Sequence, residues 1–314
     1  MQLLSIDKEN YIGQADPYIF ESNGKYYIYT TGDDGIYAYY SDNLFNGWKF
    51  YGKVFTYPDV ESFWAPSVIE LDGLYYMYCS FEFYGDIPDK GGHRQTMHVS
   101  VSESPLGPFE NAKQILHPFS IDSHIVKNES GLFLFYSTND FDRERPGTYI
   151  VVDRMIDPFT PCGNPSTVVV PTLDEEIFRR DRYKPGVHWH TIEGAFYFRE
   201  GDWQYVMYSG SCYENENYFI GYSRAKTKET DLTKINFSKY PDDNTFAPVL
   251  FSNEWEEGAG HHSMIKKDGQ WYAVYHARNR DPDGLYGDRR NARICKLNVC
   301  DGIITAERYP DKIQ

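Results

Sequence analysis

The sequence predicts an all-β protein, a five-bladed β-propeller formed as one domain over residues 1–314. Three observations carry that prediction. Aromatic residues make up 17% of the chain, 28 of them Tyr, and flat rings pack well on a pleated surface. Helical periodicity is nowhere sustained beyond about two turns. A strand–turn–strand pattern occurs five times, and self-similarity of this kind is the signature of a repeat architecture.

The copies follow in order. Phe20 to Tyr29 turns at Asn23-Gly24, Ile69 to Tyr78 at Asp72-Gly73, and Val126 to Tyr136 at Gly131. Phe198 to Tyr208 turns at Gly201-Asp202, and Ile265 to Tyr275 at Asp268-Gly269. Each reads as a β-hairpin closed by an aromatic strand. The five glycines stand 49, 58, 70 and 68 residues apart, which leaves room in each unit for a four-stranded blade. Ala38 to Ser41, His98 to Val101 and Val151 to Asp153, each followed by a turn, are expected as outer strands. A two-sheet sandwich with fortuitous hairpins is the rival architecture.

Composition narrows the function. At 314 residues and 41% hydrophobic, the chain buries a core without disulfides or a structural metal. Its 31 basic and 46 acidic residues give a net charge of -15, which repels nucleic acid and anionic membranes in the absence of a strong basic patch. No run of 18 apolar residues suggests a membrane span, and residues 1–11 carry Asp7, Lys8 and Glu9 rather than an export signal. The five scattered cysteines contain no Cys-x-x-Cys pair and read as free thiols. A cytoplasmic location is therefore expected.

Counting back from each turn glycine aligns the chemistry. Eight residues before Gly24 is Asp16, eight before Gly73 is Ala65, and nine before Gly131 is Asp122. Eight before Gly201 is Glu193, and eight before Gly269 is His261. The inner strand of each blade lines the axis, so three acids and a histidine would converge there. Converging carboxylates repel one another and lose hydration, which calls for a functional reason. Taken singly, each has a plain role: Asp16-Pro17 as a turn, Asp122 as a cap, Glu193 as a solvated end, and His261 beside His262 as a core histidine. Together they suit glycoside hydrolysis, in which one carboxyl with raised pKa protonates the leaving oxygen and an ionised one activates water or attacks carbon. A third acid beside the donor keeps its pKa high and orients it. The many aromatic rings suit the apolar faces of sugars.

These residues resemble glycoside hydrolase family 43, five-bladed propellers with an active site in the central channel. The resemblance rests on Ala15-Asp16-Pro17, Phe63-Trp64-Ala65-Pro66, Ile121-Asp122, Thr191-Ile192-Glu193-Gly194 and Gly258-Ala259-Gly260-His261, in that order along the chain. Ser104-Pro105-Leu106-Gly107-Pro108-Phe109 is similar to the family's outer strands. It implies Asp16 as general base, Glu193 as general acid and Asp122 as the modulator of that acid. It implies that His261 looks toward a metal, commonly calcium, in the channel; calcium prefers oxygen ligands, so a purely hydrogen-bonding His261 is the alternative. No cofactor is required for the chemistry.

In Asp288-Arg289-Arg290-Asn291-Ala292-Arg293, similarity to a sugar-binding arginine segment points to Arg290, whose guanidinium would hold Asp16 ionised. Trp64 either stacks on a sugar or packs its blade. Tyr213, with Glu214 and Asn217, would border the subsite. Arg280-Asp281-Pro282 lies in the fifth unit, away from where retaining relatives carry such a tripeptide, and reads as a loop. An inverting mechanism follows from the resemblance, and it requires the two carboxyls to stand about 6.5–9.5 Å apart to admit water.

The expected substrate is a short arabino- or xylo-oligosaccharide, with release of terminal L-arabinofuranose from α-1,5-linked arabino-oligosaccharides placed first. Residues 296–314 are too few for the additional β-sandwich that many xylosidases of the family carry. A β-1,4-xylosidase is the alternative enzyme, and a propeller that binds glycans without cutting them is the alternative of a different class. Such a binder would need no proton donor and base at a water's distance.

Overall fold

Each of the five hairpins becomes the first two strands of a four-stranded antiparallel blade, because a tight turn holds neighbouring strands in register. Residues 1–4, 12–86, 93–280 and 289–309 are described by this computed structural model. Blade I consists of Tyr18–Ser22, Lys25–Thr30, Ile36–Ser41 and Lys49–Phe55, and blade II of Val60–Leu71, Leu74–Phe83, Thr96–Ser102 and Glu110–Gln114. Blade III contains Ile121–Asn128, Gly131–Asp140, Gly147–Asp157 and Ser166–Val169. Blade IV contains Val187–Glu200, Trp203–Gly210, Phe219–Lys226 and Ser238–Lys239, and blade V Glu256–Lys267, Gln270–Asn279, Asn291–Cys300 and Ile303–Glu307. The segments around Ala38, His98 and Val151, expected as outer strands, are third strands; a further strand covers each of them. No disulfide joins the cysteines; Cys79, Cys212 and Cys295 are buried thiols.

The blades pack face to face around a closed ring. Five apolar clusters, one for each junction, supply the core. Phe63 and Phe81 pack with Tyr29 and Val54 between blades I and II, Met97 with Leu134 between II and III, and Phe135 with Val206 between III and IV. Met207 meets Ala273 and Tyr275 between IV and V, and Ile28 meets Val274 and Ile294 between V and I. The inner strands touch in the cyclic order I–II–III–IV–V–I. That last junction rules out the sandwich.

The ring closes through the amino terminus. Gln2 bridges Arg293, the Leu3 N–H donates to the Ala292 carbonyl at 2.8 Å, and the Ile294 N–H donates to the Met1 carbonyl at 2.8 Å. Residues 1–4 thus extend the outer side of blade V, and Leu3 and Leu4 bury themselves in the V–I core. Gln14 adds a second tie, since its N–H reaches the Arg290 carbonyl at 3.2 Å and its side-chain oxygen accepts from the Ala292 N–H at 3.0 Å.

One further element matters for function. Ile177–Lys184 forms an extra hairpin with the start of blade IV's inner strand, and residues 190–191 of that strand also pair in parallel with Gly147–Thr148 of blade III. Among the described residues the only helical elements are two short 3-10 turns, and no helix is long and apolar enough to cross a membrane.

Leu4 is 1% exposed in the closing core. Leu4→Ala is expected to lower unfolding stability by about 2–4 kcal/mol, read as a drop in denaturant midpoint; an unchanged midpoint would mean that the amino terminus does not hold the ring shut.

Candidate active site

The site is built on a backbone irregularity repeated once per blade. Each inner strand, or the residues leading into it, carries a left-handed residue at one common height: Asp16 (φ 52), Ala65 (φ 46), Asp122 (φ 58), Gly194 (φ 64) and His261 (φ 40). In blades II to V the ladder slips at this point, as a β-bulge does when it re-aims side chains. The true ruler is the second turn position, occupied by Gly24, Gly73, Ser130, Asp202 and Gly269; eight residues before each stands the left-handed one. Counting from glycines misplaced blade IV by one, because Gly201 is its first turn residue. Glu193 therefore occupies the preceding layer, with Ala15, Trp64, Ile121 and Gly260.

A third layer faces that one. Ser80, Ser137, Ser209 and His276 pair in register with Trp64, Ile121, Glu193 and Gly260, and the Thr31 N–H donates to the Ala15 carbonyl. Thr31, Ser209 and His276 of this layer each catch the N–H of the left-handed residue in the next blade. Ala65 donates to Thr31 Oγ1 at 2.9 Å, His261 to Ser209 Oγ at 2.8 Å, and Asp16 to His276 Nδ1 at 3.1 Å. Blade IV departs from the rule: the Gly194 N–H donates to Asp122 Oδ2 at 3.1 Å. That bond joins the third acid to the backbone beside Glu193.

Asp16 is buried at the junction of blades V and I. The Thr31 hydroxyl donates to its Oδ2 at 2.5 Å. Around Oδ1 stand His261 Nδ1 at 3.3 Å, His276 Nδ1 at 3.3 Å and Arg290 Nη1 at 3.8 Å. Burial alone would raise the carboxyl; the positive charge of His261, the contact with His276 and the charge of Arg290 outweigh it and hold Asp16 well below the usual carboxylate range. Burial also depresses both imidazoles, His276 to about 4. His276 is therefore neutral near neutrality and accepts from the Asp16 N–H, and the guanidinium is a permanent cation.

Glu193 sits in the opposite environment. Burial, followed by the charge of Asp16, lifts it against the Tyr218 hydrogen bond and Arg290, pushing it up to about 7. Asp122 is raised well above its ordinary value by burial, then by Glu193 and Asp16. Asp122 is thus lifted by both other acids, whereas burial and Asp16 are what lift Glu193. Near neutrality this pair retains a proton while Asp16 retains none. One imidazole links the two halves, because the His261 ring that faces Asp16 also lies 3.5 Å from where a Cβ on Gly194 would stand.

Tyr218 was not singled out in the sequence. Its hydroxyl donates to Glu193 Oε1 at 2.7 Å and its ring stacks on His276 at 5.7 Å. A side chain at Gly260 would strike that ring, with a Cβ only 1.9 Å from it; the glycine makes the close approach possible. Thr31, His276 and Gln14 were missed as well. Only the alternation of Thr31 with Ala15 offered a signal, and it depends on pairing that sequence spacing does not give.

The other singled-out residues have definite places. Arg290 lies with its guanidinium carbon 4.6 Å from the Tyr213 ring, which brings Tyr213 to the base. Trp64 is partly buried, in the layer of Glu193, edge-on to His93 at 4.9 Å. Glu214 is exposed and pairs with Arg179 at 3.7 Å; Asn217 is exposed on the rim. Arg293 turns away from the channel to a buried pair with Glu256 at 3.3 Å. Arg280 pairs with Glu216 at 3.2 Å, whereas Asp281, Pro282 and Asp288 lie outside the described residues. At His261, Nδ1 faces Asp16, and among the described residues no three His, Cys, Asp or Glu converge as ligands, so an ion beside His261 would draw most of its shell from water. No step below is routed through an ion.

Residues 12–304 match the family described as glycosyl hydrolases family 43. A curated relative, the extracellular exo-α-(1→5)-L-arabinofuranosidase of Streptomyces avermitilis, is 26% identical over 276 residues, which are 79% of this chain and 53% of that protein. The chain thus spans about half the length of the curated relative it matches. A solved thermostable family-43 glycoside hydrolase is 28% identical with a TM-score of 0.76, covering 99% of this chain and 98% of the other. The α-L-arabinofuranosidase of Lactobacillus brevis, at 21% identity, shares the fold with a TM-score of 0.75 over 98% of this chain and 97% of its own. The endo-1,4-β-xylanase of Bacteroides thetaiotaomicron, at 24% identity, shares it with a TM-score of 0.75 over 97% of each chain.

The Tyr218 hydroxyl stabilises ionised Glu193, so its removal should raise the Glu193 pKa. Tyr218→Phe is expected to move the alkaline limb of the kcat/KM profile to higher pH by on the order of one unit. A limb that stays or moves down would show that the bond does not set this carboxyl.

Proposed function

The chain belongs to glycoside hydrolase family 43, and from that premise we propose that it is an inverting, exo-acting α-L-arabinofuranosidase that trims short α-1,5-linked arabino-oligosaccharides. One observation carries the reading: of two buried carboxyls close enough for the charge of one to act on the other, Asp16 is held ionised while Glu193 is pushed up to about 7. Acid and base assignments follow from environments that push two carboxyls apart.

In the proposed reaction, a water lies between the reacting sugar and Asp16. Asp16 takes its proton as the water oxygen bonds to the anomeric carbon, and the bond from that carbon to the glycosidic oxygen breaks. Glu193 gives its proton to the departing oxygen, so no charge is left on either product. Attack from the face opposite the leaving group inverts the anomeric configuration. Asp16 then loses its proton to solvent and Glu193 regains one. Asp122, bonded to the Gly194 N–H, fixes the backbone that carries the acid, and Arg290 keeps the base charged. Arg290, Tyr213 and Trp64 are the proposed sugar contacts.

Support for arabinose comes from the curated relative. A β-1,4-xylosidase is the competing specificity, and nitrophenyl α-L-arabinofuranoside and β-D-xyloside reporters separate the two. Faster turnover of the xyloside would reverse the assignment. NMR of the freshly released sugar reads the stereochemistry, and retained configuration would eliminate the water-activating role of Asp16.

Two variants test the roles. Glu193→Ala is expected to lose oligosaccharide hydrolysis by about 10²–10⁴-fold but to retain much of its turnover on reporters whose leaving group needs no proton. Asp16→Ala is expected to be inactive on both, since water activation is required throughout. For the parent enzyme, kcat/KM should be level through mildly acidic pH, where Asp16 stays ionised, and should fall as pH rises through about 7 and Glu193 loses its proton. An acid limb near pH 4 would contradict the environment described for Asp16.

A further inference from the structure

The inner strand that carries Glu193 does not begin at the channel. Its first residues, with Ile177–Lys184, rise as the extra hairpin that overlies the junction of blades III and IV. The hairpin is braced on both sides. Toward blade IV, Phe178 lies 6.5 Å from the Tyr213 ring and the Ser211 hydroxyl donates to the Ile177 carbonyl at 3.3 Å. Toward blade III, Arg145 contacts Asp174 at 2.7 Å and His190 at 3.0 Å, and the His190 N–H donates to the Pro146 carbonyl at 2.9 Å. The path Phe178, Tyr213, Arg290, Asp16 connects the hairpin to the base by consecutive contacts.

Between the hairpin and residues 141–146 lies a cleft of about 610 Å³ lined by Phe141, Arg143, Arg145, Tyr183, His188 and His190, among others. Its size is that of a small-molecule site. The lining mixes rings with hydrogen-bonding groups. Trp189 forms a buried base beneath it, with Phe141 at 4.9 Å and Tyr183 edge-on at 5.4 Å, while Tyr183 itself is 42% exposed. Rings for apolar sugar faces and donors for hydroxyls are what an oligosaccharide needs. The position identifies which part of a substrate would lie there. A general acid stands beside the oxygen that departs with the leaving group, and the cleft's floor reaches His190, three residues before Glu193 on the same strand.

We infer that this cleft binds the leaving-group side of the substrate, two or more sugar units beyond the bond that is cut, with Tyr183 as its stacking surface. The inference rests on the hydrolase reading and adds to it a second, remote site that favours longer oligosaccharides over single-sugar glycosides.

The test compares α-1,5-arabinotetraose with nitrophenyl α-L-arabinofuranoside, whose leaving group carries no sugar. In Tyr183→Ala the ratio of kcat/KM on the tetrasaccharide to kcat/KM on the reporter should fall about fivefold or more. His188→Ala, on the second strand of the same hairpin, should lower the same ratio. An unchanged ratio in both variants overturns the inference, as does an equal loss on the two substrates. Calorimetry reads the cleft without turnover: in a Glu193→Gln background, Tyr183→Ala should weaken arabinotetraose or xylotetraose binding by a similar factor, and equal affinity overturns the inference. A parent chain that hydrolyses neither arabinoside nor xyloside reporter defeats the hydrolase reading instead, and the calorimetric comparison still decides the cleft.

Discussion

The structure depends on one backbone constraint, a left-handed residue at the same height in all five inner strands. For L-residues this conformation costs roughly 1–2 kcal/mol, and four of the five positions hold residues other than glycine. The surrounding ring offsets that cost at Asp16, Ala65 and His261 by giving each N–H a side-chain partner from the preceding blade. What the strain achieves is direction. A regular strand alternates its side chains between blade faces, whereas the bulge brings Asp16, Asp122 and His261 toward a common axis and leaves Glu193 one layer behind. Strain of this kind at a reactive centre is a recurring device.

Three carboxylates gathered so closely require unequal surroundings. Asp16 lies at the V–I junction, where Arg290, two imidazoles and Thr31 converge on it. Asp122 and Glu193 lie across the III–IV junction, share their desolvation, and have between them one backbone amide and one phenol as donors. The cation outweighs burial on one side of the channel and only opposes it, without overcoming it, on the other. Different blade junctions thus provide the separate environments that base and acid need, with His261 packed between them.

The five hairpins, the blade count and the convergence of the three acids were legible in the sequence because turns and spacing are local properties. Glycine served as an imperfect ruler: type I′ turns place it second, as in Asn23-Gly24, but blade IV places Gly201 first, and the one-residue slip assigned Glu193 to the wrong layer. Arg290 was found through resemblance. Tyr218 reaches Glu193 within its own blade across 25 residues, while His276 and Gln14 act through cross-blade contacts spanning 260 and 278, and no spacing rule gives these pairings. The hairpin over Glu193 was equally hidden, because an aromatic and arginine-rich stretch has no periodicity that tells a wall from a loop.

The pairing of Asp16 with Arg290 also fixes when the protein becomes competent during synthesis. Asp16 leaves the ribosome with the first blade and Arg290 with the fifth. Blades can fold as they emerge, so the acid pair of the third and fourth can form while the base still lacks its cation. Until the fifth blade docks against the first, Asp16 lacks the guanidinium that helps to hold it ionised, so the proposed activity waits on completion of the circle.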